Sequence, residues 1–120
     1  MPRPLVVKVT CGADEPERCS QGFTVAATAV AAGADVSLWL TGEAAWFGIP
    51  GRAEEFVLEH APPLADQLAA VVAGGRVTVC SQCAVRRGIV EGDLLEGVRL
   101  AGAPSYVEEV LAEDAQALVY

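Results

Sequence analysis

Apolar runs of strand length alternate with helix-like patterns along the whole chain, and that alternation limits the fold more than any other feature. LVVKVT at 5–10, VSLWLTG at 36–42, RVTV at 76–79, VRLAG at 98–102 and AQALVY at 115–120 read as strands. Asp14 and Glu17 have capping-box spacing with Pro16 in the first turn, which predicts a helix running to Ala32 and stopping at Gly33. Its apolar face is Phe23, Ala26, Ala27 and Val30. Pro62 and Pro63 open a second helix with the face Leu64, Leu68, Val71 and Val72, ended by Gly74 and Gly75. SQCAVRRG is a short helix, and Ser105 with Glu108 repeats the capping-box spacing to open a last one, to about Glu113. The stretch 42–60 gives one helical turn around Trp46 and a turn at Pro50-Gly51.

Such alternation predicts an α/β fold, a five-stranded and mostly parallel sheet with helices on both faces. Right-handed crossovers favour a doubly wound sheet with flavodoxin-like layering, expected in the order 2-1-3-4-5. Sites in such sheets form at the carboxyl ends of the strands, near the point where the order reverses. Cys11 follows the first strand and Cys80 the third. In the expected order these strands are neighbours, so the two cysteine regions converge. With 120 residues and no repeat or linker, residues 1–120 read as a single domain.

The formal net charge of −8 argues against nucleic acid, whose phosphates such a surface repels. The opening apolar run is broken by Lys8, the only lysine, and is too short for a signal peptide. No apolar stretch is long enough to span a bilayer. The expectation is a cytoplasmic protein with no membrane partner. In that compartment a Cys-x-x-Cys signals redox, sulfur or metal chemistry more often than a structural disulfide.

That motif is CSQC at 80–83, placed where a strand hands over to a helix. The thiolate is the form that attacks and carries sulfur. Unpaired N–H groups at the amino end of a helix favour that anion. Arg86 and Arg87 follow Cys83 by three and four residues, within reach of its face. They are expected to support a thiolate or persulfide, or to grip a partner's carboxylate. The plainer alternative makes both cysteines small buried apolar residues.

The run VTVCSQCAVRRGI resembles the strand-to-helix turn of DsrE/DsrF-like proteins, small proteins of sulfur relay. There a cysteine at the strand end precedes Arg-Arg-Gly by six residues, or belongs to a Cys-x-x-Cys followed by Ala-Arg-Gly. Here Cys80 precedes Arg86 by six, and Cys83 supplies the second thiol. The ending VEEVLAEDAQALVY, the opening strand, the Gly-containing loop and the Ala-rich helix are similar as well. The resemblance implies a five-stranded parallel fold assembled as a homo-oligomer, a dimer, trimer or hexamer. It also implies that Cys80 carries a persulfide passed between donor and acceptor proteins. Cys83, Cys11, Cys19 and the run WFGIPG are features of this chain beyond that pattern.

Two other functions compete with a sulfur carrier. One is a non-catalytic zinc-type module, with Cys19, Cys80 and Cys83 as thiolate ligands and Cys11 or His60 as the fourth. The spacing C-GADEPER-C is not that of a standard knuckle. The other is an oligomeric interaction protein whose cysteines are structural. Cys19 shares a helical face with Phe23, Ala26 and Val30, as a core residue would. A thioredoxin-like role is disfavoured because the motif follows the third strand, not the first. Trp46 and Phe47 are expected to wall a pocket, fill a subunit interface or pack in the core. No phosphate-binding loop or Ser/His/Asp set is present, and His60 is the only histidine, so conventional acid–base catalysis has little to work with.

Overall fold

The computed structural model describes residues 2–120. The strands are β1 (Pro4–Val9), β2 (Asp35–Leu40), β3 (Arg76–Cys80), β4 (Val98–Ala101) and β5 (Gln116–Val119). The helices are α1 (Pro16–Ala31), α2 (Arg52–Glu55), α3 (Leu64–Gly74), α4 (Ser81–Arg86) and α5 (Ala103–Val110), with 3-10 turns at Gly42–Gly48 and Glu91–Asp93. All strand pairs are parallel, as the alternation predicts.

The order is β4-β3-β2-β1-β5, not 2-1-3-4-5. The reason lies in β2. Val36, Leu38 and Leu40 are buried on one of its faces, and Ser37 and Trp39 on the other. A strand buried on both faces belongs inside a parallel sheet, between two neighbours. QALV of β5 is exposed throughout, and it takes the edge beside β1.

The order also fixes the layers. The steps from β1 to β4 run in one direction, so right-handed connections put α1 and α3 on one face, where they pack together. The step from β4 to β5 recrosses the sheet and carries α5 to the other face. Val7, Val9, Leu38, Leu40, Val77 and Val79 form the core with Phe23 and Leu64 beneath α1 and α3. Phe47 completes it, edge-on to Phe23 and Phe56 at 5.8 and 5.7 Å. No described helix is long and apolar enough to cross a membrane.

Neither expected capping box forms. Asp14 turns back to accept from the Gly12 N–H at 2.8 Å, and α1 opens at Pro16 without a side-chain cap. α5 opens at Ala103, two residues before Ser105, and ends at Val110. In both helices a proline with preset φ stands in the first turn, which starts the helix without a capping side chain.

The α5 face is held by a polar joint. Glu109 accepts from Ser37 Oγ at 2.5 Å and from Trp39 Nε1 at 3.1 Å through one oxygen. Its other oxygen accepts from Arg99 Nη2 at 2.7 Å, while Arg99 Nε donates to Thr78 Oγ1 at 2.8 Å. Glu109→Ala leaves Ser37, Trp39 and Arg99 without their acceptor. It should cost about 2 kcal/mol, the scale of a charge-assisted bond whose buried partners are orphaned. Urea unfolding of both proteins measures this, and an unchanged midpoint would rule out the joint as an anchor of α5.

Candidate functional site

Cys80 ends β3 and faces the same side as Thr78, toward α5. Its backbone is still extended, at φ −62° and ψ 125°, and α4 begins at the next residue. The turn therefore places the N–H groups of Gln82 and Cys83 at the Cys80 sulfur. Burial pushes this thiol up. The N–H and thiol of Cys83, the N–H of Gln82 and the Lys8 ammonium outweigh burial and leave it below the ordinary cysteine value.

The two thiols of the motif have different surroundings. Cys83 packs against the apolar core, and its Sγ accepts from the Gly42 N–H at 3.2 Å. Its own thiol donates to Cys80. The turn after β2 thus holds Cys83, which in turn lowers the neighbouring Cys80 thiol. Gly42 permits this by adopting φ +54°, and a Cβ there would collide with the Thr10 carbonyl oxygen.

A small cavity of about 90 Å³ opens at Cys80. Lys8, Trp39, Thr41, Gln82 and Tyr106 contribute to its lining. The Lys8 ammonium lies 5.0 Å from the centre of the Tyr106 ring, and Tyr106 stands edge-on to Trp39 at 5.3 Å. Burial, and then the Glu109 carboxylate, push the Tyr106 hydroxyl up, so it stays protonated. Lys8 and Tyr106 were not candidates from the sequence. The available signal was Lys8 itself, the one charged residue within an otherwise apolar strand, facing away from Val7 and Val9.

The remaining expected residues are dispersed. Arg87 donates through Nε and Nη2 to Glu43 Oε2, at 3.0 and 2.7 Å, and through Nη1 to the Cys83 carbonyl at 3.1 Å. It braces α4 and does not contact a thiol. Arg86 is exposed and lines a shallow groove with Ser81, Gln82 and Val85. The cation that lowers Cys80 is Lys8. Cys11 and Cys80 do not converge either, because β2 lies between their strands. Cys11 and Cys19 are buried in the α1 side of the core. Burial, then Cys11 and Asp14, push Cys19 up to about 12. Burial also raises Cys11, against the pull of Arg18 and with the push of Asp14 and Glu15.

The zinc-type set fares no better in this geometry. Cys19 belongs to the α1 face and Cys80 to the α5 face, while His60 sits in a separate groove beside Pro62. Among the described residues no three His, Cys, Asp or Glu side chains are grouped to hold a metal ion. Phe47 is core, and Trp46 walls a second cavity of about 200 Å³, with the Arg52 guanidinium 4.2 Å above its ring.

The reactivity of the thiols should follow these environments. Iodoacetamide should modify Cys80 first, with an inflection below the free-thiol value of roughly 8.5, and Cys19 last. The sign follows from the depressed pKa: more Cys80 is thiolate at neutral pH than in a model peptide. Peptide mapping after timed alkylation from pH 5 to 9 reads the order, and Cys80 reacting no faster than a model thiol would refute it.

Comparison with known proteins agrees with this architecture. The profile of the DsrE/DsrF-like family matches residues 5–116. Among curated proteins no relative matches. The crystal structure of the ychN protein from E. coli superposes with a TM-score of 0.78 over 100% of both chains, at 19% identity. That likeness concerns the fold.

Proposed function

The chain belongs to the DsrE/DsrF-like family, associated with sulfur relay, and on that premise we propose that it accepts sulfane sulfur as a persulfide on Cys80. One observation carries the reading. Of the four free cysteines, Cys80 alone combines partial exposure, a cavity, two N–H groups and a lysine. Those features stabilise a thiolate, and they would stabilise the terminal sulfur of a persulfide for the same reason.

Cys83 is the second thiol. Its attack on Cys80–S–SH would form the Cys80–Cys83 disulfide and expel the outer sulfur as hydrogen sulfide. The new S–S bond replaces the old one, and no external oxidant is needed. Without that attack the persulfide would pass to an acceptor protein. Arg87 supports the site at one remove, by tying α4 to Glu43. Arg86 points from the same helix toward solvent, where it would meet a partner's carboxylate. Val107 and Leu111 of the α5 segment, with Val119 of β5, expose apolar surface that a homo-oligomer would cover.

Intact-mass spectrometry after exposure to a sulfane-sulfur donor tests the carrier directly. Wild type should gain whole sulfur atoms that a reductant removes, and Cys80→Ser should gain none. Cys83→Ser should hold the persulfide longer and release less sulfide. Uptake that persists in Cys80→Ser would move the site elsewhere.

A further inference from the structure

We propose that the direct sulfur source is a small inorganic anion of the thiosulfate type, bound in the Cys80 cavity by Lys8. The proposal rests on the persulfide reading and adds its substrate class. A cavity of about 90 Å³ has space for a few waters. That is space for an anion of a few heavy atoms, well below the roughly 300–1,000 Å³ of pockets that enclose larger ligands.

The chain as a whole repels anions, with a net charge of −8. Yet the residues lining this cavity include no carboxylate, and they do include the chain's single lysine. Arg76, Arg87 and Arg99 are paired with Asp35, Glu43 and Glu109. Among the described residues Lys8 makes no ion pair. Its compact ammonium is directed over Tyr106, and Thr41 and Gln82 add hydrogen-bonding groups beside it.

The Cys80 thiolate attacks the outer sulfur of thiosulfate. A Cys80–S–S bond forms, the bond between that sulfur and the sulfite sulfur breaks, and the electron pair leaves with sulfite. Charge is conserved at −3, since a thiolate and a dianion become a persulfide anion and a dianion. Two like-charged reactants approach each other, so a cation at the meeting point is what the step requires. Lys8 is the cation that lines the cavity where they meet.

The test uses isosteric probes of opposite character. Iodoacetate is an anion and iodoacetamide is neutral, and both alkylate the same thiolate. Their rate ratio at Cys80 cancels the fraction ionised, which Lys8 also affects. In wild type the ratio should exceed that of Lys8→Met by on the order of tenfold at low salt, and added salt should shrink the difference. Lys8→Arg should keep much of it, which separates charge from misfolding. Thiosulfate should add sulfur to wild type at least tenfold faster than to Lys8→Met. A ratio that Lys8→Met leaves unchanged would overturn the proposal. So would sulfur uptake from glutathione persulfide but not from thiosulfate, with the carrier reading left standing. Uptake from neither donor would overturn both.

Discussion

β2 is buried on both faces, and the architecture follows from covering the two. Val36, Leu38 and Leu40 call for an apolar layer, which α1 and α3 supply. Ser37 and Trp39 call for a layer able to answer a hydroxyl and an indole N–H, and Glu109 of α5 answers both. Bare hydrocarbon over that second face would orphan two buried donors, at about 1–3 kcal/mol each. The polar joint is therefore a condition for closing the sheet on the α5 side. It also sets the site. Tyr106 lies one helical turn before Glu109, so the helix that satisfies Ser37 and Trp39 also brings an aromatic wall over Cys80 and Lys8.

The same division of faces explains why four thiols have such unequal chemistry. Cys19 and Cys11 lie on the apolar side, where burial outweighs every other influence and the neutral thiol is favoured. Cys80 lies on the polar side at a strand end, where backbone N–H groups and an ammonium outweigh desolvation. Only two residues stand between Cys80 and Cys83, yet α4 turns the second thiol toward the 3-10 turn at Gly42. The motif is thus asymmetric: one thiol meets the cavity, and the other is held behind it as a hydrogen-bond donor.

Much of the fold was legible because strand and helix periods are local. All five strands appear within one or two residues of their expected places, and Gly33 ends α1 in a left-handed conformation as expected. The strand order was not legible from alternation, which fixes parallelism but not adjacency. The cue was in VSLWL, with a large apolar side chain on each face, and in QALV, the short strand fit for an edge. The caps failed because Pro16 and Pro104 act on φ directly, a stronger local term than a nearby aspartate or serine. Of the site, Cys80 and Cys83 were visible from spacing. Lys8 and Tyr106 were not, because they come from β1 and α5 and meet Cys80 only once the sheet order is known.

That dependence on order makes the cavity a property of the topology. Cys80 ends β3, while Lys8 lies on β1, with Trp39 of β2 between them. A lysine directly beside a thiolate on the neighbouring strand would pair with it closely and leave little space. With one strand intervening, the long side chain spans the gap above Trp39, and the ammonium and the sulfur face a common volume. Burial raises the Cys80 thiol, the Cys83 and Gln82 groups lower it, and the attraction of Lys8 adds to that lowering across the cavity. A nucleophile and a cation held apart across a shared small space can engage opposite ends of one small anion, which neither could do if they were in contact.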